Sequence, residues 1–326
     1  MAPAAYQEQG ENMKRIFICD EMHPSLFEML GQAGFEYTYQ PKARREEILE
    51  QIGTYEGLLI RSKTLIDEAF LQYAARLEFI GRAGAGLDLI DREACEAHGI
   101  RLFAANAGNA DAVGEHATGM LLALMNHIHT ADREVREKIW QREANRGTEI
   151  GGKTVGLIGY GHNGQAFAQR LSGFGVQVLA YDKYRDRYSD SRAREASMEE
   201  IFAEADILSL HIPLTDETEH LVNAAFIARF AKPFTLINIS RGEIVSLADT
   251  LAALQSGALT GACLDVLENE KLHQLPAGPD AVFDALARLP NVIFTPHVAG
   301  WSHESYIRIN EVLVRQIARE FGKISP

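Results

Sequence analysis

The chain has 326 residues, long enough for about two domains that each bury a core. Its 45 acidic and 32 basic side chains give a net charge of −13, which argues against a nucleic-acid partner, since that binding rests on clustered cations. Small anions stay open as ligands, because a few arginines focused in one cleft can bind a carboxylate or phosphate beneath an acidic exterior.

After a polar stretch of twelve residues, strand-like and helix-like patterns alternate. Strand-like segments at 15–19, 35–39, 57–60, 77–80 and 100–103 are separated by helix-like ones at 24–33, 44–52, 66–75 and 90–98. That alternation predicts a first βα lobe of about a hundred residues. An apolar-periodic helix then runs from Asp111 to about His129, and a charged stretch with Trp140 leads to position 153. A second lobe follows, with strands near 155–159, 176–181, 206–211, 234–239, 260–266 and 291–294; six strands suit a dinucleotide fold. The loop over 271–279 carries Pro276, Gly278 and Pro279 and reads as a site border or plain surface. The last segment, 302–321, is helical, with apolar residues at Ile307, Ile309, Val312, Val314 and Ile317, and its pattern does not fix its lobe.

Cys19, Cys95 and Cys263 are scattered without metal-ligand spacing and read as reduced core thiols. His127 and His129 lie two apart on a predicted helix, hence on different faces, so no metal is expected. The longest apolar helical segment, near 120–125, is far too short to span a bilayer, and the first twelve residues lack a cationic start and an apolar core. No membrane association and a cytoplasmic location are the expectation.

The most informative stretch is Lys153-Thr-Val-Gly-Leu-Ile-Gly159-Tyr160-Gly161-His162-Asn163-Gly164, followed eighteen residues later by Asp182. The apolar run at 155–158 predicts a buried strand, the glycines a tight turn, and 163–173 a helix. Gly159 allows the turn, Gly161 lets backbone approach a pyrophosphate, and Gly164 permits close helix-strand packing. A carboxylate at the tip of the second strand can accept hydrogen bonds from both ribose hydroxyls and repels a 2′-phosphate, so Asp182 favours NAD over NADP; Lys183 and Arg185 beside it work the other way.

Four further segments fall at predicted strand ends of this lobe, where ligands bind in open α/β sheets. They are His211-Ile212-Pro213-Leu-Thr215, Asn238-Ile-Ser240-Arg241-Gly242, Leu264-Asp265-Val-Leu-Glu-Asn-Glu270 and Thr295-Pro-His297-Val-Ala-Gly300. Hydride transfer between a nicotinamide and an alcohol or carbonyl carbon needs a proton donor or acceptor at the oxygen, which His297 can be. Glu270 would orient its ring, and Arg241 would hold a substrate carboxylate through planar paired donors. Taken singly, each has a blander reading: a surface arginine, a solvated acid, a turn histidine.

These segments together resemble the D-isomer-specific 2-hydroxyacid dehydrogenases, and within them the phosphoglycerate dehydrogenases. The likeness runs from about 14 to 321 and includes Ile60-Arg61-Ser62-Lys63-Thr64, Gly81-Arg82-Ala83-Gly84-Ala85-Gly-Leu-Asp88, Gly108-Asn109 and Val113-Gly-Glu-His116. It implies an α/β fold of two Rossmann-like or flavodoxin-like lobes with parallel sheets and a cleft between them. The substrate-binding lobe would be discontinuous, 1–109 with 301–326, around an NAD-binding lobe at 110–300. The resemblance makes Arg241, Glu270 and His297 the catalytic trio. It gives Asp265 to the nicotinamide amide and the amides around Ala83 to Ala85 to the substrate carboxylate. The remaining motif positions of the second lobe, Tyr160, His162, Asn163, His211, Ile212, Pro213, Thr215, Ser240, His297 and Gly300, are taken with the glycines and Asp182 as coenzyme-binding. Arg61, Ser62, Arg82 and Asn109 are taken as substrate-binding. Homodimers built around the helix after 110 are similarly implied.

Two positions depart from the family pattern: Lys271 replaces the usual proline after the glutamate, and Trp301 replaces a small polar residue, and both can reshape a pocket mouth. For a phosphorylated substrate the chain offers Arg61, Lys63 and Arg82, with Arg142 from a partner subunit. That tilts the expected substrate toward D-3-phosphoglycerate and 3-phosphohydroxypyruvate, with glyoxylate, hydroxypyruvate or another 2-oxo acid as alternatives. With the chain ending at 326, feedback through a carboxy-terminal regulatory domain is not expected. The reading from another class is an NAD(H)-sensing protein like the co-repressors of this fold. A formate dehydrogenase is disfavoured, because it carries glutamine where Glu270 stands.

Overall fold

The computed structural model describes residues 13–276, 278 and 281–322. The polar amino-terminal stretch and Pro279 of the 271–279 loop, both singled out above, lie outside the described residues. The chain divides into two compact units, Met1–Gly108 with Tyr306–Pro326, and Asn109–Ser305.

The first unit is a five-stranded parallel sheet built from β1 (Arg15–Ile18), β2 (Glu36–Tyr39), β3 (Gly57–Ile60), β4 (Phe79–Arg82) and β5 (Arg101–Ala104), in the order β2-β1-β3-β4-β5. Helices α1 (Ser25–Gln32), α2 (Arg45–Ile52), α3 (Glu68–Leu71) and α4 (Arg92–Ala97) connect the strands. Alternating residues serve two cores: Phe17, Leu58 and Ile60 pack with Phe70 on one face, whereas Ile16, Ile18 and Leu59 pack with Phe79 on the other. Cover on both faces is why the strands read as continuous apolar runs. The helix expected over 66–75 is reduced to the single turn of α3, because Ile66 is held in a parallel bridge to Ile90.

The second unit begins with α5 (Ala110–Met125) and α6 (Ile128–Arg136), where one helix was expected to about His129. The break falls at Asn126 and His127. His127 takes a left-handed φ of 53°, and the carbonyl of Met125 accepts from the Thr148 amide rather than continuing the helix. A seven-stranded parallel sheet follows, from β6 (Thr154–Ile158), β7 (Gln177–Tyr181), β8 (Arg194–Glu195), β9 (Ile207–Leu210), β10 (Phe234–Asn238), β11 (Leu259–Leu264) and β12 (Val292–Phe294). Its helices are α7 (His162–Leu171), α8 (Met198–Glu204), α9 (Ala224–Ile227), α10 (Leu247–Ser256) and α11 (Val282–Ala287). The seventh strand, β8, is two polar residues long and carries no periodic signal.

The order β12-β11-β10-β9-β6-β7-β8 reverses direction between β6 and β9. Ligands of open parallel sheets bind at the carboxyl ends of the strands at such a switch point. Gly114 lets α5 lie against α7, since a Cβ there would sit 2.8 Å from the Ala166 carbonyl. The final helix, α12 (His303–Phe321), sends Ile309, Leu313, Val314 and Ile317 into the core of the first unit. All three cysteines are buried, and burial pushes the thiols of Cys19 and Cys263 up to about 12 and that of Cys95 to about 11, so they stay protonated and inert.

Candidate active site

The coenzyme end of the second unit is built at the switch point. Gly159 follows β6 with a φ of 92°, and a Cβ there would lie 2.3 Å from the His211 carbonyl, so only glycine lets the β6 and β9 ends approach. A Cβ at Gly164 would lie 2.3 Å from the Gly159 carbonyl, which closes α7 onto the turn. Gly161, by contrast, faces open space, with no atom within 4 Å of its ideal Cβ, as a backbone approached by a ligand must. His162 is exposed beside it at the start of α7. A cavity of about 430 Å³ opens there, lined by Gly159, Gly161, Asp182, His211, Ile212, Pro213 and Thr215 among others.

Asp182 stands just beyond β7, its carboxylate accepting the amides of Tyr160 at 2.9 Å and Tyr184 at 3.0 Å. Those two bonds aim it while leaving lone pairs for a diol. The neighbouring cations do not form a phosphate site: Lys183 is ion-paired with Glu217, and Arg185 donates to the Tyr160 carbonyl. Tyr160 itself is buried and its hydroxyl meets Asp190 at 3.0 Å. Burial, then that carboxylate, pushes its phenol up to about 12. His211 meets the Ser209 hydroxyl through Nε2 at 3.0 Å, while its buried Nδ1 has no hydrogen-bond partner among the described residues. Burial pushes this imidazole down to about 3, so it is neutral. Ser240 ties the β9 and β10 ends together, donating to the Leu210 carbonyl and accepting from the Ile212 amide. Thr215 is instead occupied with Thr218, at 3.1 Å between hydroxyls. Asn109 packs against Gly300, where a Cβ would sit 2.3 Å from its Nδ2; among the described residues its buried Oδ1 lacks a partner, as does the buried Oδ1 of Asn163.

The acid-base end is assembled from three adjacent parallel strands. Arg241, Glu270 and His297 follow β10, β11 and β12 respectively. Glu270 Oε1 lies 2.8 Å and Oε2 3.1 Å from His297 Nδ1. A carboxylate can only accept, so Nδ1 carries the proton and Nε2 is left for another partner. Both side chains are half exposed, open to a ligand. Arg241 is partly buried, with Nη1 donating to the Ser240 carbonyl at 2.7 Å. Its turn is clamped by Asn238, fully buried, which gives its Nδ2 to the Arg241 carbonyl and takes the Ser240 amide. Gly242 then packs on the segment that leads to Glu270: a Cβ there would lie 1.9 Å from the carbonyl of Leu267. Asp265 is 2 % exposed, and its carboxylate takes the hydroxyl of Thr295 and the amides of Val298 and Ala299, the last two at 2.9 Å.

Residues 118–299 match the NAD binding domain of the D-isomer specific 2-hydroxyacid dehydrogenases, over half of the chain. The chain belongs to this family. It is 34 % identical over 316 residues to the D-3-phosphoglycerate dehydrogenase of Bacillus subtilis, covering 96 % of this chain and 58 % of that protein. It is 33 % identical to the hydroxypyruvate reductase of Thermotoga maritima, covering 85 % and 89 % of the two chains. Among solved structures, a D-2-hydroxyisocaproate dehydrogenase superposes with a TM-score of 0.79 at 25 % identity, covering 95 % and 96 %. The D-lactate dehydrogenase of Aquifex aeolicus, solved with NAD and lactic acid, gives 0.76 at 26 %, covering 93 % and 94 %. The chain spans a little over half the length of the phosphoglycerate dehydrogenases it matches. As in the family, the coenzyme is NAD, and the Gly161 opening, the Asp182 carboxylate and the cavity beside them fit it.

The first unit of this 2-hydroxyacid dehydrogenase family member holds the other residues read from the sequence. Arg61 stacks its guanidinium over the Tyr306 ring at 5.0 Å, and Arg82 Nε donates to the Arg61 carbonyl at 2.9 Å. Lys63 reaches away, to the carbonyls of Pro41 and Ala43. Two of the three amides expected to cradle a carboxylate are already engaged: Ala83 donates to the Ile60 carbonyl as the sheet continues, and Gly84 to the Arg82 carbonyl.

Two residues escaped the sequence reading. Asp20, 2 % exposed, accepts the amides of Ser62 at 2.8 Å and Arg61 at 2.5 Å, and so fixes the 61–64 loop. His116 meets the Thr295 hydroxyl at 3.0 Å. A lone Asp after a buried strand carries no pattern, whereas His116 sat within a quoted motif but with no partner visible 179 positions away.

Proposed function

We propose that the chain is an NAD-dependent oxidoreductase acting on C2 of a small anionic 2-hydroxy or 2-oxo acid. The observation that carries this reading is the Glu270–His297 pair at 2.8 Å, presented at strand ends of the NAD-binding unit. When bound, NAD supplies the hydride acceptor and NADH the donor. In the oxidation, His297 takes the hydroxyl proton at Nε2 as the C2 hydrogen leaves with its electron pair, and a carbonyl forms. Glu270, on Nδ1, balances the imidazolium and keeps the ring in place; reduction reverses each step. Arg241 anchors the substrate carboxylate with paired donors and polarises the adjacent carbonyl. Arg61, Ser62 and Arg82 of the first unit and Asn109 of the second are further proposed substrate-binding residues.

D-3-Phosphoglycerate and 3-phosphohydroxypyruvate are the proposed substrate pair, supported by Arg61 and Arg82 and by relatives that bear that name. Hydroxypyruvate is the second reading, favoured by Lys63, whose engagement with two carbonyls removes one of the three cations on which a phosphate would rest. NADH oxidation across 3-phosphohydroxypyruvate, hydroxypyruvate, glyoxylate and pyruvate tests both. A strong preference for the first supports the phosphorylated substrate, equal or better use of the second supports the unphosphorylated one, and no turnover of any of them overturns the enzymatic reading in favour of a dinucleotide sensor.

A homodimer formed through α6 and the segment after it is also proposed. The helix has no buried residue, yet Ile128, Val135 and then Ile139 and Trp140 are exposed along this stretch. Such a patch is the kind that a second subunit covers.

A further inference from the structure

We propose that His116, on α5, is a positioning residue for the catalytic turn, acting on His297 through Thr295 and Asp265. The inference rests on the role proposed for His297. His297 is held at a φ of 54°, a left-handed conformation that costs a non-glycine residue free energy and persists only where its surroundings fix it. The fixing group is Asp265. Its carbonyl accepts the His297 amide at 2.8 Å, and its carboxylate accepts the next two amides, Val298 and Ala299, each at 2.9 Å.

That carboxylate is in turn fixed from behind. Thr295 Oγ1 lies 2.5 Å from Asp265 Oδ1 and 3.0 Å from His116 Nε2. A threonine hydroxyl has one proton, and an ionised carboxylate can only accept, so Thr295 donates to Asp265 and accepts from His116. The His116 ring therefore carries its proton on Nε2, and a chain of donors runs from His116 to Thr295 to the Asp265 carboxylate, which the amides of Val298 and Ala299 meet from the other side. Asp265 is 2 % exposed, so its carboxylate is held by protein donors rather than by solvent. His116 Nε2 also lies 3.7 Å from Asp265 Oδ1, so the imidazole closes over the same oxygen. With the chain intact, His297 meets Glu270 in one orientation; without it, Asp265 can swing and the left-handed turn relaxes.

The test compares His116→Leu and Thr295→Val, which delete the donor and the hydroxyl with little change of volume, against Thr295→Ser, which keeps the hydroxyl. Amide hydrogen exchange at 297–299 should quicken about 10-fold or more in the first two and stay as in the wild type in Thr295→Ser. In parallel, kcat for 2-oxo acid reduction should fall about 10- to 100-fold in the first two, with KM for acid and NADH within about twofold. The double variant should be no worse than either single one. Should His116→Leu not fold, Thr295→Val against Thr295→Ser carries the same comparison. Wild-type exchange in the deletions, or a loss confined to KM, overturns the proposal. If the wild type itself turns over none of the acids, the proposed activity falls, and the exchange measurement alone decides the role of His116.

Discussion

In the proposed reaction His297 and Asp182 divide the work at the level of single residues, one serving the reacting oxygen and the other the ribose. Each is aimed by bonds to its immediate surroundings, so their removal should separate cleanly. His297→Ala should lower kcat by about 100- to 10,000-fold, the range for loss of a general acid-base, while NADH binding followed by fluorescence stays within a few fold. Unchanged turnover would refute the assignment. Asp182→Ala should leave chemistry on a bound substrate nearly intact and raise the NADP-to-NAD ratio of kcat/KM. The gain should be modest, because Lys183 and Arg185 are engaged with Glu217 and Tyr160 and are not preset for a 2′-phosphate. His211 makes a prediction about pH. Its imidazole titrates near 3 in the folded chain and near 6.5 unfolded, so the unfolded state binds the extra proton first. The stability it contributes is therefore complete above about 6.5 and is lost as pH falls toward 3, at up to about 1.4 kcal/mol per pH unit. Denaturant titrations between pH 7 and 4 should show a shallower decline in His211→Gln than in the wild type; parallel curves would show that the proton is taken up elsewhere.

Between elements, what counts is how closely strand ends approach, and here the sequence is informative to different degrees. The turn after β6 was legible because glycines, a buried strand and an acid at fixed distance constrain each other. So was the placement of Arg241, Glu270 and His297 after β10, β11 and β12, since each residue falls a few positions past an apolar run. What the sequence conceals is contact between such ends. Gly242 reads as an ordinary glycine after an arginine, yet it is the point where the Arg241 turn touches the Leu267 segment leading to Glu270. The helix break at His127 is hidden likewise, because the apolar spacing continues past it and the competing bond comes from Thr148. The bonds by which the Asp265 carboxylate holds the turn at 297–299 are likewise invisible in the sequence. The Gly242 contact is testable. With a Cβ 1.9 Å from the Leu267 carbonyl, Gly242→Ala must push the two segments apart, at a cost of about 1–3 kcal/mol for overpacking. Activity should fall well beyond what that lowering of Tm explains, because both Arg241 and Glu270 move. A variant of normal rate would mean that the segments separate without disturbing either side chain.

For the molecule as a whole, the acidic surface keeps copies apart at long range, so any self-association must come from a local apolar patch. The stretch from α6 onward supplies one. Ile128 is 54 % exposed, Val135 51 % and Trp140 78 %, an unusual outlay of large apolar surface for a stretch that contributes no residue to either core of its unit. Burying a tryptophan of this kind at an interface typically contributes about 2–4 kcal/mol, so Trp140→Glu should weaken a dimer roughly 30- to 1,000-fold. Sedimentation velocity over a range of protein concentrations should then find the wild type dimeric and the variant shifting to monomer as it is diluted. Because Glu270 and His297 both belong to the same chain, the separated monomer should keep its Glu270–His297 pair and still bind NADH. A wild type that sediments as a monomer throughout would remove the proposed interface and leave the exposed tryptophan to some other partner.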